Sequence, residues 1–355
     1  MNAWVLNAIG DYVYKQVDTP VPGKGEVLLE VKAAGICGSD IPRAFKSGAH
    51  KMPLIIGHEF SGRVHSVGDG VSDSWKGKRV GIFPLIPCMD CPPCRKKQYE
   101  MCRHYNYLGS RCDGGFAQFV SVPEWNLIEL PDSVSYEQAA MLEPMAVAVH
   151  ATRRIPSLSD PLVKKQVVIC GAGTIGTLMA MFLLKRDDIE LLVIGNKENQ
   201  LEQLIKLGLP KENYCNAAVE DPGAFVMDQT GGLGADVFME CVGKNDTMNL
   251  AIELTRPYGE ICLVGNPYSD MSMDKNLYWK ILRNQLHVYG TWNSSFTHEI
   301  ADDWHFVLDT IAKGEVSPEG LISHRFKLEK LMEGFIIMRD KTQNYLKVMC
   351  VMDDE

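Results

Sequence analysis

Four cysteines fall within the stretch CMDCPPCRKKQYEMC, at Cys88, Cys91, Cys94 and Cys102. The spacing C-x2-C-x2-C-x7-C lets neighbouring thiolates converge on one ion, and the longer return supplies the fourth corner of a tetrahedron. Four sulfurs with no open position describe a structural zinc site, which stabilises a loop too polar to fold around its own core. An iron–sulfur cluster also takes cysteines at short spacing and is the alternative metal. Four unrelated thiols are the reading without one.

A second pattern lies in QVVICGAGTIGTLMAMFLL, residues 166–184. A β-rich run leads into Gly171-x-Gly173-Thr174-Ile175-Gly176, and an apolar, helix-like stretch follows. In that setting the glycines read as a dinucleotide fingerprint: Gly171 for the tight turn, Gly173 for approach of a pyrophosphate, Gly176 for close packing of helix on strand. The helix N-terminus, opened by Thr174 and Ile175, offers free N–H groups to the phosphates. A glycine turn before a core helix is the plainer alternative.

The next β-like run, ELLVIG, ends at Gly195. An NAD site normally carries an acid there, hydrogen-bonded to the adenosine ribose hydroxyls. This chain has Gly195-Asn196-Lys197 instead. A glycine leaves room for a 2′-phosphate and Lys197 can meet its charge, although Glu198 points the other way. NADP is therefore expected over NAD, and Gly195→Asp is expected to shift the preference towards NAD. A solvated lysine at a helix start is the alternative for Lys197.

Further candidate ligands follow apolar runs in AAGICGSDIPR, IIGHEFSGRV and MLEPMAV: Cys37, His58 and Glu143. Three protein ligands leave a zinc ion its fourth position for water or substrate, which is the catalytic arrangement. A hydrogen-bonded polar pair, His58 with Glu59, is the competing reading.

These residues must be positioned by two kinds of element. Runs at ADVFMECVG, GEICLVGNP and LHVYGTW alternate with helix-like segments, so a parallel, doubly wound sheet is expected over about 159–290. Ligands bind beyond the carboxyl ends of such strands, which places Val242, Gly265 and Asn266 near the nicotinamide end.

Taken together, GICGSD, GHEFSG, the cysteine lobe, DGGFAQF, EPMAV and GAGTIG resemble the zinc-containing medium-chain dehydrogenase/reductase superfamily over essentially the whole chain. The stretches CGSDIPRAFKSGAH, PLIPCMDCPPC, YLGSRCDGGFAQF and WKILRNQLHVYGTW narrow the resemblance to the polyol branch. The resemblance implies an α/β protein with a GroES-like β-rich catalytic domain, residues 1–155 and 294–355, and a Rossmann domain, residues 156–293. It makes Cys37, His58 and Glu143 ligands of a catalytic zinc, with Glu59 a transient ligand or an orienting partner, for two Zn2+ per chain. The implied reaction is reversible hydride transfer between an alcohol carbon and C4 of nicotinamide, with Ser39 as first proton relay. A sugar alcohol phosphate is the implied substrate, galactitol 1-phosphate going to tagatose 6-phosphate. Arg43, Lys46, His50, Arg111 and Lys280 are its candidate cationic partners, since a buried phosphate needs charge-assisted contacts. The branch usually takes NAD, against the reading at Gly195. A homodimer or homotetramer is implied through LHVYG pairing at a sheet edge. An unphosphorylated-polyol or L-threonine-type dehydrogenase is the alternative enzyme; a non-catalytic, zinc-stabilised nucleotide-binding protein is the alternative of another class.

Composition bounds these readings. The 355 residues, 46% hydrophobic and 23% charged, suit two globular domains. A net charge of -9 with no local basic patch disfavours nucleic acid. No apolar run reaches the roughly 18–20 residues of a membrane span. The N-terminus lacks a basic patch followed by an apolar stretch, so a cytoplasmic location is expected. In a reducing cytosol the remaining cysteines read as small buried hydrophobes.

Overall fold

The longest strand, Glu26–Ile36, is EVLLEVKAAGI, apolar on both faces for most of its length and accordingly buried on both. It stands in the middle of a seven-stranded sheet. The order is Ile322–Phe326, Lys347–Val351, Glu26–Ile36, Glu59–Val67, Arg79–Ile82, Leu127–Glu129, with Phe119–Pro123 also paired to Glu26–Ile36. The pairings are antiparallel apart from that of the first two strands. The computed structural model describes residues 1–352. It divides into two compact units, one formed by Met1–Ala146 with the chain from Ser294 onward, the other by Val147–Asn293. The first boundary falls inside the helix Leu142–Arg153, upstream of the position expected from sequence, because that helix continues through it.

Leu29, Phe60, Phe116 and Phe335 are buried at the centre of the first unit. Each such side chain stabilises the fold by roughly 1.5–3 kcal/mol relative to exposure. The returning C-terminal segment is held to this unit by Phe296 and Trp304, whose rings lie 4.9 and 5.5 Å from that of Phe83. The cysteine stretch is closed at its base by a two-stranded ladder, Leu85–Ile86 with Asn106–Tyr107. Tyr99 packs edge-on against Trp125 at 5.0 Å.

The second unit is a six-stranded parallel sheet in the order Tyr214–Asn216, Ile189–Gly195, Lys165–Cys170, Ala235–Glu240, Thr255–Leu263, His287–Gly290. Numbered within the unit, this is 3-2-1-4-5-6, the dinucleotide-binding arrangement with its strand-order reversal beside the first strand. Helices Thr174–Leu183, Glu198–Lys206, Pro222–Gln229, Asn245–Leu254 and Lys275–Arg283 make the connections. The fold is mixed α/β, as the alternating pattern predicts. Among the described residues no helix is long and apolar enough to cross a membrane.

Candidate active site and metal centres

The sulfurs of Cys88, Cys91, Cys94 and Cys102 all lie within 4.8 Å of one another. Individual separations are 3.4 Å for Cys91–Cys94, 3.8 Å for Cys91–Cys102 and 3.9 Å for Cys88–Cys94. Bonds of about 2.3 Å to one tetrahedral ion put sulfurs about 3.8 Å apart, so the set fits a single zinc ion. A cluster of several irons would hold them farther apart. Two backbone N–H groups, of Cys88 and Cys91, already point at the Cys102 and Cys88 sulfurs, at 3.2 and 3.4 Å. All eleven cysteines are free thiols, so the lobe has no disulfide to close it.

The second cluster is assembled by strand register. Gly35 pairs with Glu59, and Ile36 with Val348. Cys37, just past the end of one strand, is thereby set beside His58 and Glu59 at the start of a second and Lys347 at the start of a third. Ligand atoms of Cys37, His58 and Glu59 lie within 4.8 Å of one another. Glu143, expected from the resemblance as the third ligand, is outside that set. It sits in the first turn of Leu142–Arg153, buried, where its Oε1 accepts a hydrogen bond from Tyr107 Oη at 3.3 Å. Burial pushes the Glu143 carboxyl up to about 7; the nearby Glu59 adds to this, and His58 and Lys347 oppose it. Glu143 therefore shares the electrostatic neighbourhood of the cluster.

Three residues not singled out from sequence complete this site. Asp40 is fully buried, accepts from the Cys37 N–H at 3.0 Å and from Arg43 at 2.5 Å, and faces His58 Nδ1 at 3.5 Å. Burial works against its charge, but His58, Arg43 and the backbone outweigh this and lower its pKa. Lys347, 2% exposed, pairs with Glu59 and donates to the Ile36 carbonyl at 3.2 Å. The pair runs directly over Gly35, where an added Cβ would sit 2.4 Å from Glu59 Oε2. Tyr107 adds its ring edge to His58 at 5.8 Å. A lysine opening the apolar run KVMCV was the one legible sign of a buried partner. Asp40 and Tyr107 lie in the stretches GICGSD and YLGSRCDGGFAQF, whose resemblance was the available signal for them.

This centre fits a divalent cation. Three carboxylates and a thiol are gathered in a largely buried space with one lysine and one arginine as fixed cations. His58 Nδ1 is buried without a hydrogen bond of good geometry. Burial opposes a charge on His58, yet Asp40 and Cys37 raise its pKa well above the usual value, the mark of a site with excess negative charge. Ser39, half-buried, precedes the short helix Asp40–Pro42 and makes no side-chain capping bond.

The candidate substrate residues separate. Burial first, then the nearby Arg111 and Arg43 guanidiniums, lower the pKa of His50, so two cations stand beside an imidazole biased towards its neutral form. Arg111 lies over the Tyr105 ring at 4.5 Å, and its Nε is buried without a partner. Arg43 is already engaged by Asp40. Lys46 is exposed. Lys280 belongs to the other unit and donates to the Glu253 carbonyl at 2.6 Å, a contact between helices.

In the second unit the glycine loop has the expected form. Gly171 has φ +108°, a left-handed conformation that glycine adopts without strain. A Cβ at Gly176 would meet the Gly171 carbonyl oxygen at 1.9 Å, whereas a Cβ at Gly173 would meet nothing within 4 Å. The first packs helix on strand; the second leaves space for a ligand. Helix Thr174–Leu183 starts at Gly173, so the positive end of its dipole faces the glycine turn where a pyrophosphate would lie. Val242 abuts Gly171, and Gly265 abuts Gly243. Buried Glu240 ties this rim together, accepting from the Val242 and Gly243 N–H groups at 2.8 and 2.9 Å and from Thr247 Oγ1 at 2.7 Å. Asn266 also lies against Gly243. At the far end Gly195 closes the second strand of the unit and Asn196 and Lys197 follow it, but the space beside Gly195 is filled by Tyr214 and Gln200. A side chain introduced at position 195 would therefore have to displace Tyr214 or Gln200.

Known proteins carry the same combination. The alcohol dehydrogenase GroES-like domain family matches residues 23–132, and the zinc-binding dehydrogenase family matches residues 175–313. The galactitol 1-phosphate 5-dehydrogenase of Escherichia coli K12 is 32% identical over 94% of this chain and 93% of its own length. An L-threonine 3-dehydrogenase of Pyrococcus abyssi is 31% identical over 91% of each. The crystal structure of galactitol-1-phosphate dehydrogenase from Escherichia coli superposes with a TM-score of 0.89 at 30% identity, covering 99% of this chain and 100% of that one. With both family domains matched along its length and such relatives along nearly all of it, the chain belongs to the zinc-containing medium-chain dehydrogenase/reductase superfamily, as an NAD(P)-dependent oxidoreductase of the zinc-dependent alcohol dehydrogenase family.

Proposed function

We propose that the protein is a polyol-phosphate dehydrogenase that oxidises galactitol 1-phosphate to tagatose 6-phosphate. The observation that carries this reading is Arg111, whose buried guanidinium Nε has no partner within the protein. An unpaired buried donor costs about 1–3 kcal/mol, and more when charged, unless a ligand satisfies it. A phosphate is such a ligand, and charge-assisted contacts to it are roughly twice as strong as neutral ones. The similarity to a galactitol 1-phosphate 5-dehydrogenase supports the same substrate.

Cys37, His58 and Glu59, with Glu143 close by, would hold a zinc ion that would supply Lewis acidity to an alcohol oxygen, and the glycine loop would hold a dinucleotide that would supply the hydride acceptor. The chain's own residues do the rest. Asp40 faces His58 Nδ1 and supplies negative charge beside the ring. Lys347 neutralises Glu59 and holds it against the strand end. Tyr107 donates to Glu143 and keeps that carboxylate aimed. Ser39, two residues beyond Cys37, is the first relay proposed for the alcohol's proton. The edge strand His287–Gly290, with Val288 exposed, suits pairing with a second copy in a homodimer or homotetramer.

The test is the ratio of kcat/KM values for galactitol 1-phosphate and galactitol, in the parent and in Arg111→Ala. The parent should prefer the phosphate, and the variant should lose about tenfold or more of that preference, each 1.4 kcal/mol being a factor of ten. Its rate with galactitol should change little. Equal kcat/KM for the two substrates in the parent would replace the phosphate reading with a plain polyol dehydrogenase.

A further inference from the structure

The ribose end of the nucleotide site is built differently from the pattern that places an acid after the second strand. A Cβ at Gly195 would sit 2.2 Å from Tyr214 Oη, 2.8 Å from Tyr214 Cε2 and 2.8 Å from Gln200 Oε1. The cause is register. Tyr214 pairs with Val193 in the parallel sheet, so its side chain shares the face that Gly195 would present and reaches past it towards the carboxyl end. It is 6% exposed. Its hydroxyl donates to the Lys197 carbonyl at 2.9 Å and lies 3.4 Å from the Lys197 N–H. Gln200 Oε1 accepts from the Asn196 N–H at 3.0 Å. The turn at 195–197 is thus tied at three backbone points around a phenol standing where an acidic side chain would begin.

We infer that Tyr214 is the specificity-determining residue of this site, and that it directs the site to a 2′-phosphorylated dinucleotide. It keeps position 195 a glycine, because any larger residue must displace a buried, hydrogen-bonded ring. An acid is thereby shut out from the place where it would accept the ribose hydroxyls and repel a 2′-phosphate. The phenol is neutral and imposes no such repulsion. Asn196, Lys197 and Glu198 are the polar groups that follow; Lys197 adds a cation that salt screens, and Glu198, in the first turn of the helix, opposes it. The inference rests on the dinucleotide site of the family, not on the polyol-phosphate substrate, and its test needs no substrate.

The experiment is fluorescence titration of the zinc-loaded enzyme with NADPH and with NADH at fixed salt, together with thermal unfolding. The parent should bind NADPH more tightly. Gly195→Asp alone should lower Tm and weaken both cofactors. Gly195→Asp combined with Tyr214→Val should restore NADH binding and invert the ratio of Kd values by at least about tenfold, a difference of 1.4 kcal/mol. If the double variant does not fold, Gly195→Ala gives the same information, since a methyl group alone meets Tyr214 Oη. It should lower Tm and weaken NADPH. The inference is overturned by a parent that prefers NADH. It is also overturned if Gly195→Asp alone gains NADH affinity with Tm unchanged, if the double variant keeps the parental ratio, or if Gly195→Ala changes neither Tm nor ratio. Failure of the phosphate reading at Arg111 leaves all these titrations untouched.

Discussion

Glu59→Ala is expected to abolish turnover, by more than about a hundred-fold, and to lower the zinc content from two ions per chain to one. A hundred-fold is the upper end of what loss of an outer partner of a metal site costs, and Glu59 belongs to the set that converges with Cys37 and His58. The substitution has a second effect that is independent of catalysis. Lys347 is buried against Glu59, and removing one member of a buried pair leaves an uncompensated charge, at a cost of about 3–5 kcal/mol. Tm should fall accordingly. Glu143→Gln gives the contrast. Its carboxylate lies outside the converging set and is held by Tyr107, so both zinc ions should be retained while kcat falls about 10–100-fold. The measurements are metal content by atomic emission, thermal unfolding and steady-state rates on the same preparations. A Glu59→Ala protein with two zinc ions, beside a Glu143→Gln protein with one, would exchange the two roles.

Cys91→Ser should act on folding rather than on chemistry. The lobe contains the four sulfurs, two short helical turns and little else that is apolar: its buried cluster consists of cysteines with Tyr99 and Tyr105 packed alongside. Binding of a structural zinc ion contributes apparent free energies of about 10–16 kcal/mol in small zinc-dependent domains, so the metal dominates the stability of so small a core. Loss of one thiolate should release that ion, expose the segment around residues 88–102 to proteolysis and reduce Tm. The glycine loop is in the other unit, so nucleotide affinity should be preserved. Chelator treatment of the parent should reproduce the proteolysis. An equally heat-stable variant with two zinc ions would remove the structural role from this site.

The parts of this protein that sequence alone determined are those whose physics is local. Cysteines two residues apart must lie close together, whatever surrounds them. Gly171, Gly173 and Gly176 between a β-rich run and an apolar helix specify a turn, an open approach and a close packing contact within six residues. Alternation of β and helical runs required a parallel sheet. Cys37 and His58 could be read from their segments as candidate ligands, but the β-rich first unit and their joining in one metal centre came through family resemblance, because nothing local says that residues so far apart will meet.

Only the tertiary structure decided which groups complete each site. Pairing of Gly35 with Glu59 and Ile36 with Val348 brings Lys347 to the metal centre across 288 residues, and a shift of one position would turn those side chains to the opposite face. The same register placed Glu59, rather than Glu143, with Cys37 and His58. Gly195 read from sequence as an empty place for a phosphate. Whether it is empty depends on the neighbouring strand, and the pairing of Tyr214 with Val193 fills it. Local spacing fixes what a segment can ligate, whereas long-range strand register fixes what it meets, since contacts made through the sheet leave no periodic trace in the chain that makes them.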